Sequence, residues 1–178
     1  MSNVVAIIGS PRKRGNTDRL ADAFIRGAIQ SGNTVTRFHL ADYKVNGCLG
    51  CDYCTRNHGK CIQEDAMQPI YAALYQADTV VLATPLYYFG ISSQLKAVID
   101  RFYASIAAPF KVSAGILLLT YGRDNKHEAD MAIAHYRAIM RGMGWRNKGV
   151  AIADHVFQVG DIAGHSALLQ AENLGRSV

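Results

Sequence analysis

The chain has 178 residues, of which 49% are hydrophobic and 19% charged, and 19 Lys plus Arg against 14 Asp plus Glu leave a formal net charge of +5. That length suits one domain, residues 1–178, with a core that needs no disulfide staples, and no apolar run reaches the ~20 residues of a membrane span, so disordered, fibrous and membrane-spanning classes are excluded. Met1-Ser2-Asn3 leads straight into Val4-Val5-Ala6-Ile7-Ile8 without a basic segment, so a cytoplasmic protein is expected. The basic excess does not call for nucleic acid. Arg12, Lys13, Arg14 and Arg19 share one glycine-containing stretch, which suits a single small anion, and no nucleic-acid motif with interleaved aromatics accompanies them.

Val4 to Ile8 is a continuous apolar run, the pattern of a strand covered on both faces. Leu20, Ala21, Phe24, Ile25, Ala28 and Ile29 then repeat with helical spacing between Thr17 and Ser31, and Gly32-Asn33 supplies the stop. Thr34 to Leu40 reads as a shorter strand at a sheet edge. Residues 44–64 have no period and hold all four cysteines, which predicts a loop. Met67, Ile70, Tyr71 and Leu74 mark a helix whose start is set either by an Asp65–Gln68 capping box or by Pro69. A third strand lies in Asp78 to Thr84, followed by a helix carrying Leu95, Val98, Ile99, Phe102 and Tyr103. Ser113 to Thr120 is a fourth strand, and Ala129, Ala132, Ile133, Tyr136, Ile139, Met140 and Met143 mark the next helix. Gly149 to Ala153 forms the core of a fifth strand, with Trp145 packing at its entry, and a last helix is expected from about Ile162 to Leu174.

Strands alternating with helices through right-handed crossovers predict an α/β three-layer sandwich around a five-stranded parallel sheet of order 2-1-3-4-5. Ligands of such sheets sit beyond the carboxyl ends of the strands near the switch point, so the loops after strands one, three and four carry the candidate site.

The first of these reads Gly9-Ser10-Pro11-Arg12-Lys13-Arg14-Gly15-Asn16-Thr17 and opens a helix. A helix start offers unpaired N–H groups and about half a positive charge to a phosphate. Ser10, Asn16 and Thr17 add hydroxyl and amide donors, Arg12 adds a guanidinium fork, and Gly15 lets the backbone close around an anion. The stretch lacks both the ending of a nucleoside-triphosphate loop and the glycine spacing of a dinucleotide fingerprint, which favours a monophosphate.

Gly-Ser-Pro-Arg-x-x-Gly-Asn-Thr after a first strand resembles the phosphate loop of the flavodoxin-like NAD(P)H-dependent FMN reductase family. The resemblance extends through Thr84-Pro85-Leu86-Tyr87-Tyr88 and Gln94-Leu95-Lys96-Ala97-Val98-Ile99-Asp100-Arg101. It implies that the first loop holds the FMN phosphate and that Pro85, Leu86, Tyr87, Tyr88, Phe89 and Gly90 wrap the pyrimidine side of the isoalloxazine. Adjacent aromatics and backbone amides suit a planar ring in their own right, although one of the three aromatics is expected to be a core or interface anchor. Thr120, Tyr121 and Gly122 would meet the same ring from the other side. Lys96 and Asp100 form an ordinary i,i+4 pair.

Cys48, Cys51, Cys54 and Cys61 have the spacing C-x2-C-x2-C-x6-C. In a reducing compartment this favours ligation or redox chemistry over disulfides, and two successive short gaps suit a four-cysteine iron–sulfur site better than paired zinc knuckles. The run resembles that of the iron–sulfur flavoprotein branch, which implies a 4Fe–4S cluster near FMN. Plain structural thiols and zinc remain open.

The expected activity is that of an FMN oxidoreductase. It takes electrons from NAD(P)H, or from a ferredoxin if a cluster is present, and gives them to a small acceptor such as a quinone, flavin or azo compound. The chemistry then belongs to the flavin, and no side chain is needed as acid or base. The rival is an electron carrier or redox sensor without small-substrate turnover. The resemblance further implies a homodimer or homotetramer.

Overall fold

The computed structural model describes residues 1–178, the side chain of Lys126 excepted. Asn3–Ile8 forms β1, paired in parallel with β2 (Thr34–His39) on one side and β3 (Thr79–Tyr87) on the other. A short antiparallel return, β4 (Gly90–Ile91), folds back on the end of β3. β5 (Ala114–Thr120) lies beside β3, and β6 (Arg146–Ala153) closes that edge, so the parallel strands run β2-β1-β3-β5-β6. Counting parallel strands alone, this is the expected 2-1-3-4-5 order.

The apolar runs are continuous because alternate residues serve two cores. Val5 and Ile7 join one cluster with α3 (Met67–Leu74), α4 (Ser93–Asp100) and α5 (Asp130–Met143). Val4, Ala6 and Ile8 join the other with α1 (Asn16–Gln30) and α6 (Ser166–Arg176). α1 and α6 touch backbone to backbone: a β-carbon built at Gly27 would collide with the Glu172 carbonyl oxygen, and one at Gly175 with that of Phe24. No helix among the described residues is long and apolar enough to cross a membrane.

The structure departs from the sequence pattern in several respects, the first being that β3 runs on through Pro85 and Leu86 to Tyr87, where a loop is expected. A one-turn helix, α2 (Tyr53–Arg56), interrupts the stretch read as loop. The Asp65 carboxylate accepts the Met67 backbone amide at 3.1 Å, but the Gln68 side chain donates its Nε2 to Gln63 O at 2.7 Å instead of reaching back to the Asp65 amide, so the capping box is half formed. The helix after β3 ends at Asp100 and continues as a tighter 3-10 segment, Arg101–Ile106. The last helix starts at Ser166, since Gly164 is left-handed (φ +76°) and His165 Nδ1 caps the Ala167 amide at 3.1 Å. Trp145 does pack at the entry to β6, 5.9 Å from the Phe102 ring.

Candidate functional site

The loop between β1 and α1 folds on itself before the helix begins. The Ser10 hydroxyl accepts the Arg12 amide at 3.1 Å, and Gly15 N donates to Arg12 O at 3.3 Å. A β-carbon at Gly15 would lie 3.1 Å from Arg12 O, so glycine fits this turn best. Arg14 adopts φ +58°, and its amide is held at 2.7 Å by the buried carboxylate of Asp18. Gly15 is the N-cap and offers no side-chain cap. Among the described residues the amides of Asn16, Thr17 and Asp18 therefore donate to no protein acceptor. Three free N–H groups in the first turn make a cradle of the size and sign of a phosphate.

The side chains divide the work differently from what the sequence suggests. Asn16 is committed to the far side of the site: its Nδ2 donates to Gln158 O at 2.8 Å, and its Oδ1 accepts from Gly160 N at 3.1 Å and Ile162 N at 3.4 Å. The Thr17 hydroxyl lies 2.7 Å from that of Thr120, tying the start of α1 to the end of β5. Lys13 pairs with Asp42, and Arg37 with Asp18 and Asp22. Arg12 makes no ion pair among the described residues; its Nη1 only touches Phe157 O at 3.4 Å. That leaves an exposed guanidinium free for an anion beside the cradle.

From the cradle a cavity of about 320 Å³ runs along the carboxyl edge of the sheet, a volume suited to a small organic ligand. One wall is the end of β3. Leu86 and Tyr87 pair with Ile91 and Gly90, and the connecting Tyr88 and Phe89 both take positive φ, 49° and 67°, as in a type I′ hairpin turn. The twist of that turn throws the aromatics outward. Tyr88 is 98% exposed, and Tyr87 and Phe89 are about half exposed, so none of the three is a core anchor within the chain, which leaves the interface side of the expectation. The opposite wall is Thr120, Tyr121 and Gly122. Burial, then the nearby carboxylates of Asp154, Glu128, Asp124 and Asp130, push the Tyr121 phenol up and keep it protonated.

Of the residues singled out from the sequence, Ser10, Arg12, Gly15, Asn16, Thr17 and Pro85 to Phe89 all line this cavity, together with Thr120, Tyr121 and Gly122. Gly90 does not, because it is turned into the β3–β4 pairing. The sequence reading missed Arg123 and Glu128 after β5, and Val156, Phe157 and Val159 after β6. The signal existed: the loop after the fifth parallel strand leaves from the same sheet edge as the loops after strands one, three and four. That loop is well braced. The Asp161 carboxylate accepts the amides of Phe157 (2.9 Å) and Gln158 (2.7 Å), and the Phe157 ring lies so close to Gly122 that a β-carbon there would come within 2.8 Å of it.

The cysteines lie elsewhere. Cys48 and Cys51 are exposed, while Cys54 and Cys61 are half-buried against the core. Burial raises the Cys54 thiol. Among the described residues no three His, Cys, Asp or Glu side chains converge as metal ligands, so as folded here the four sulfurs do not form a cluster cage.

Residues 2–171 match the model of a family described as NADPH-dependent FMN reductase. An iron–sulfur flavoprotein of Archaeoglobus fulgidus is 39% identical over 97 residues, 54% of this chain and 44% of that protein. The chain spans about half the length of the archaeal relatives it matches. A Bacillus subtilis protein provisionally named NAD(P)H-dependent FMN-containing oxidoreductase YwqN is 27% identical over 180 residues, covering 96% of this chain and 95% of that one. Among solved structures, an NAD(P)H:quinone oxidoreductase from Methanothermobacter marburgensis shares the fold with a TM-score of 0.78 at 17% identity, covering 99% of this chain and 95% of that one.

Proposed function

Since the chain belongs to the NADPH-dependent FMN reductase family, we propose that its cavity binds FMN and that the protein passes electrons from NAD(P)H to a small-molecule acceptor. The reading is carried by one observation: the unpartnered amides of Asn16 and Thr17 at the start of α1 and the unpaired guanidinium of Arg12 line the same cavity as the aromatic residues Tyr87, Tyr88, Phe89 and Tyr121. The donor set fits a phosphate, and the walls fit a flat ring. Asn16, Thr17 and Asp18 would give their amides to the phosphate, with Arg12 closing over it. Tyr87, Tyr88, Phe89 and Tyr121 would flank the ring and keep water from it. FMN, when bound, supplies the hydride and electron chemistry. Ser10, Thr17 and Thr120 act by holding the loop in shape, and no side chain is assigned as acid or base.

The test is a titration of apo-protein with FMN, followed by anaerobic addition of NADH or NADPH. Tight binding, loss of the flavin's visible absorbance on adding reductant, and its return with a quinone are expected. Arg12→Ala should weaken FMN by about 1.5–3 kcal/mol, roughly ten- to a hundredfold or slightly more. An unchanged dissociation constant removes Arg12 from the site, and absence of FMN binding by the parent overturns the reading.

A second reading, electron carriage through a cluster at Cys48, Cys51, Cys54 and Cys61, is favoured by the names of the archaeal relatives. The loop would have to rearrange to bring four sulfurs to one centre. Anaerobic purification with an iron assay decides it. Cys51→Ser should abolish iron and spare FMN, and an iron-free parent ends this reading and with it a role for ferredoxin. The exposed aromatic rim also supports assembly of two or four copies over the cavity mouth, which sedimentation would measure.

A further inference from the structure

Arg101 is 2% exposed, an unusual place for a guanidinium, because burying one is costly unless it is fully engaged. It stands where α4 passes into the 3-10 segment, and the hydrogen bonds its guanidinium donates to Asn46, Cys61, Gln63 and Asp65 all reach the segment that holds the four cysteines. Nη1 pairs with the Asp65 carboxylate at 2.6 Å and reaches Asn46 O at 3.5 Å. Nη2 donates to Cys61 Sγ at 3.3 Å and to Gln63 O at 3.4 Å. The guanidinium carbon lies 5.7 Å over the Tyr71 ring, whose hydroxyl donates back to Arg101 O at 2.9 Å. Nε is buried without a partner among the described residues.

The ends of the segment are themselves joined, Asn46 N to Asp65 Oδ2 at 2.8 Å and Gln63 Nε2 to Gly47 O at 3.0 Å. An ion pair with Asp65 alone would close this base. The contact that the base does not require is the one to sulfur. Cys61 is thereby distinguished from Cys48 and Cys51, which stand exposed. The other end of α4 is fixed to the cavity: the Ser92 amide donates to Thr84 Oγ1 at 3.0 Å, directly before Pro85, and Ser92 Oγ caps Leu95 N at 3.3 Å. A helix of eight residues, about 12 Å long, therefore links the strand that walls the cavity to the sulfur of Cys61.

We propose that Arg101 is the positioning residue of the cysteine loop, acting through Cys61: it holds that sulfur at a set distance from the cavity, while Cys48 and Cys51 remain free to move. This deepens the reading of the cysteine loop as a segment that serves ligation or redox chemistry. It does not depend on iron, and the test is run with chelator so that an iron-free loop leaves it standing.

The protein is treated with a limiting amount of iodoacetamide and the modified cysteines are quantified by peptide mass spectrometry, with thermal unfolding recorded in parallel. In the parent, Cys48 and Cys51 should react well ahead of Cys61. Arg101→Met should raise the Cys61 rate at least tenfold and leave Cys48 within twofold. Arg101→Lys keeps a charge for Asp65 but loses the planar fork that serves the carboxylate and the sulfur from separate nitrogens. It should therefore retain most of the thermal stability and still release Cys61 at least fivefold. A slow Cys61 in Arg101→Lys would assign the hold to the ion pair and overturn the proposal, as would a Cys61 in the parent that reacts as fast as Cys48. If Arg101→Met does not fold, the lysine variant alone decides.

Discussion

The hydroxyls of Thr17 and Thr120 lie 2.7 Å apart and buried, joining the first turn of α1 to the last residue of β5 across 103 positions of sequence. Neither threonine has a reason to be polar in isolation. Thr17→Val should cost about 1–3 kcal/mol because it strands the Thr120 hydroxyl, whereas removing both hydroxyls should cost clearly less than the two single changes added together. Urea unfolding of the two single variants and the double variant measures this. Strict additivity would mean the hydroxyls do not act as a pair.

Asn16 should behave as a brace. Asn16→Ala removes three hydrogen bonds to residues 158–162 and leaves the Gly160 and Ile162 amides without their acceptor. A loss of about 2–4 kcal/mol is expected. Proteolysis should shift to the stretch around Phe157 and Val159, and a cleavage pattern like the parent's would show that Asp161 suffices to hold it.

Two glycines set the approach of α1 and α6. Gly175→Ala or Gly27→Ala drives a methyl into a carbonyl of the facing helix, and should cost about 3 kcal/mol or more. Gly142 on α5 is the control. A β-carbon there meets nothing within 4 Å, so Gly142→Ala should stabilise by up to about 1 kcal/mol through helix propensity. Thermal unfolding of the three variants gives opposite signs if the contact is as described.

Acid should weaken the base of the cysteine loop. Burial pushes the Asp65 carboxyl up, but the amides of Asn46 and Met67 and the Arg101 guanidinium together outweigh it and hold the group below its ordinary 3.8. The unfolded chain therefore takes up the proton first as pH falls. The stabilisation is present above the unfolded value and is lost as pH drops through the lower folded one. Asp78 and Asp154 are held low as well and share the trend. Asp65→Asn should flatten the acid slope of stability measured from pH 6 to 2, and an unchanged slope would clear Asp65 of any part in it.

Much of the site is legible in the order of the amino acids. The apolar run Val4 to Ile8 needs both faces covered, and a glycine-bearing loop that opens a helix at the switch point marks the candidate anion site. What escaped were features without a local signature. The aromatic turn hides a hairpin, because Tyr88 and Phe89 take the positive φ usually left to glycine and asparagine, and propensity does not foresee that. Asn16 looks like a ligand donor until its amide is found bound to a loop 142 residues away. Arg101 belongs to a motif laid along one helix and has no local signature of a partner, yet it serves Asp65 and Cys61.

The succession of elements, the two-sided burial of the strands and the helix-opening loop with its free amides follow from the amino acids themselves, since they depend on periodicity and on backbone groups at a helix start. The cavity's fourth wall, the brace across it and the grip on one sulfur out of four arose only on folding. Each depends on a side chain meeting a partner far along the chain, and such meetings are set by how the layers pack.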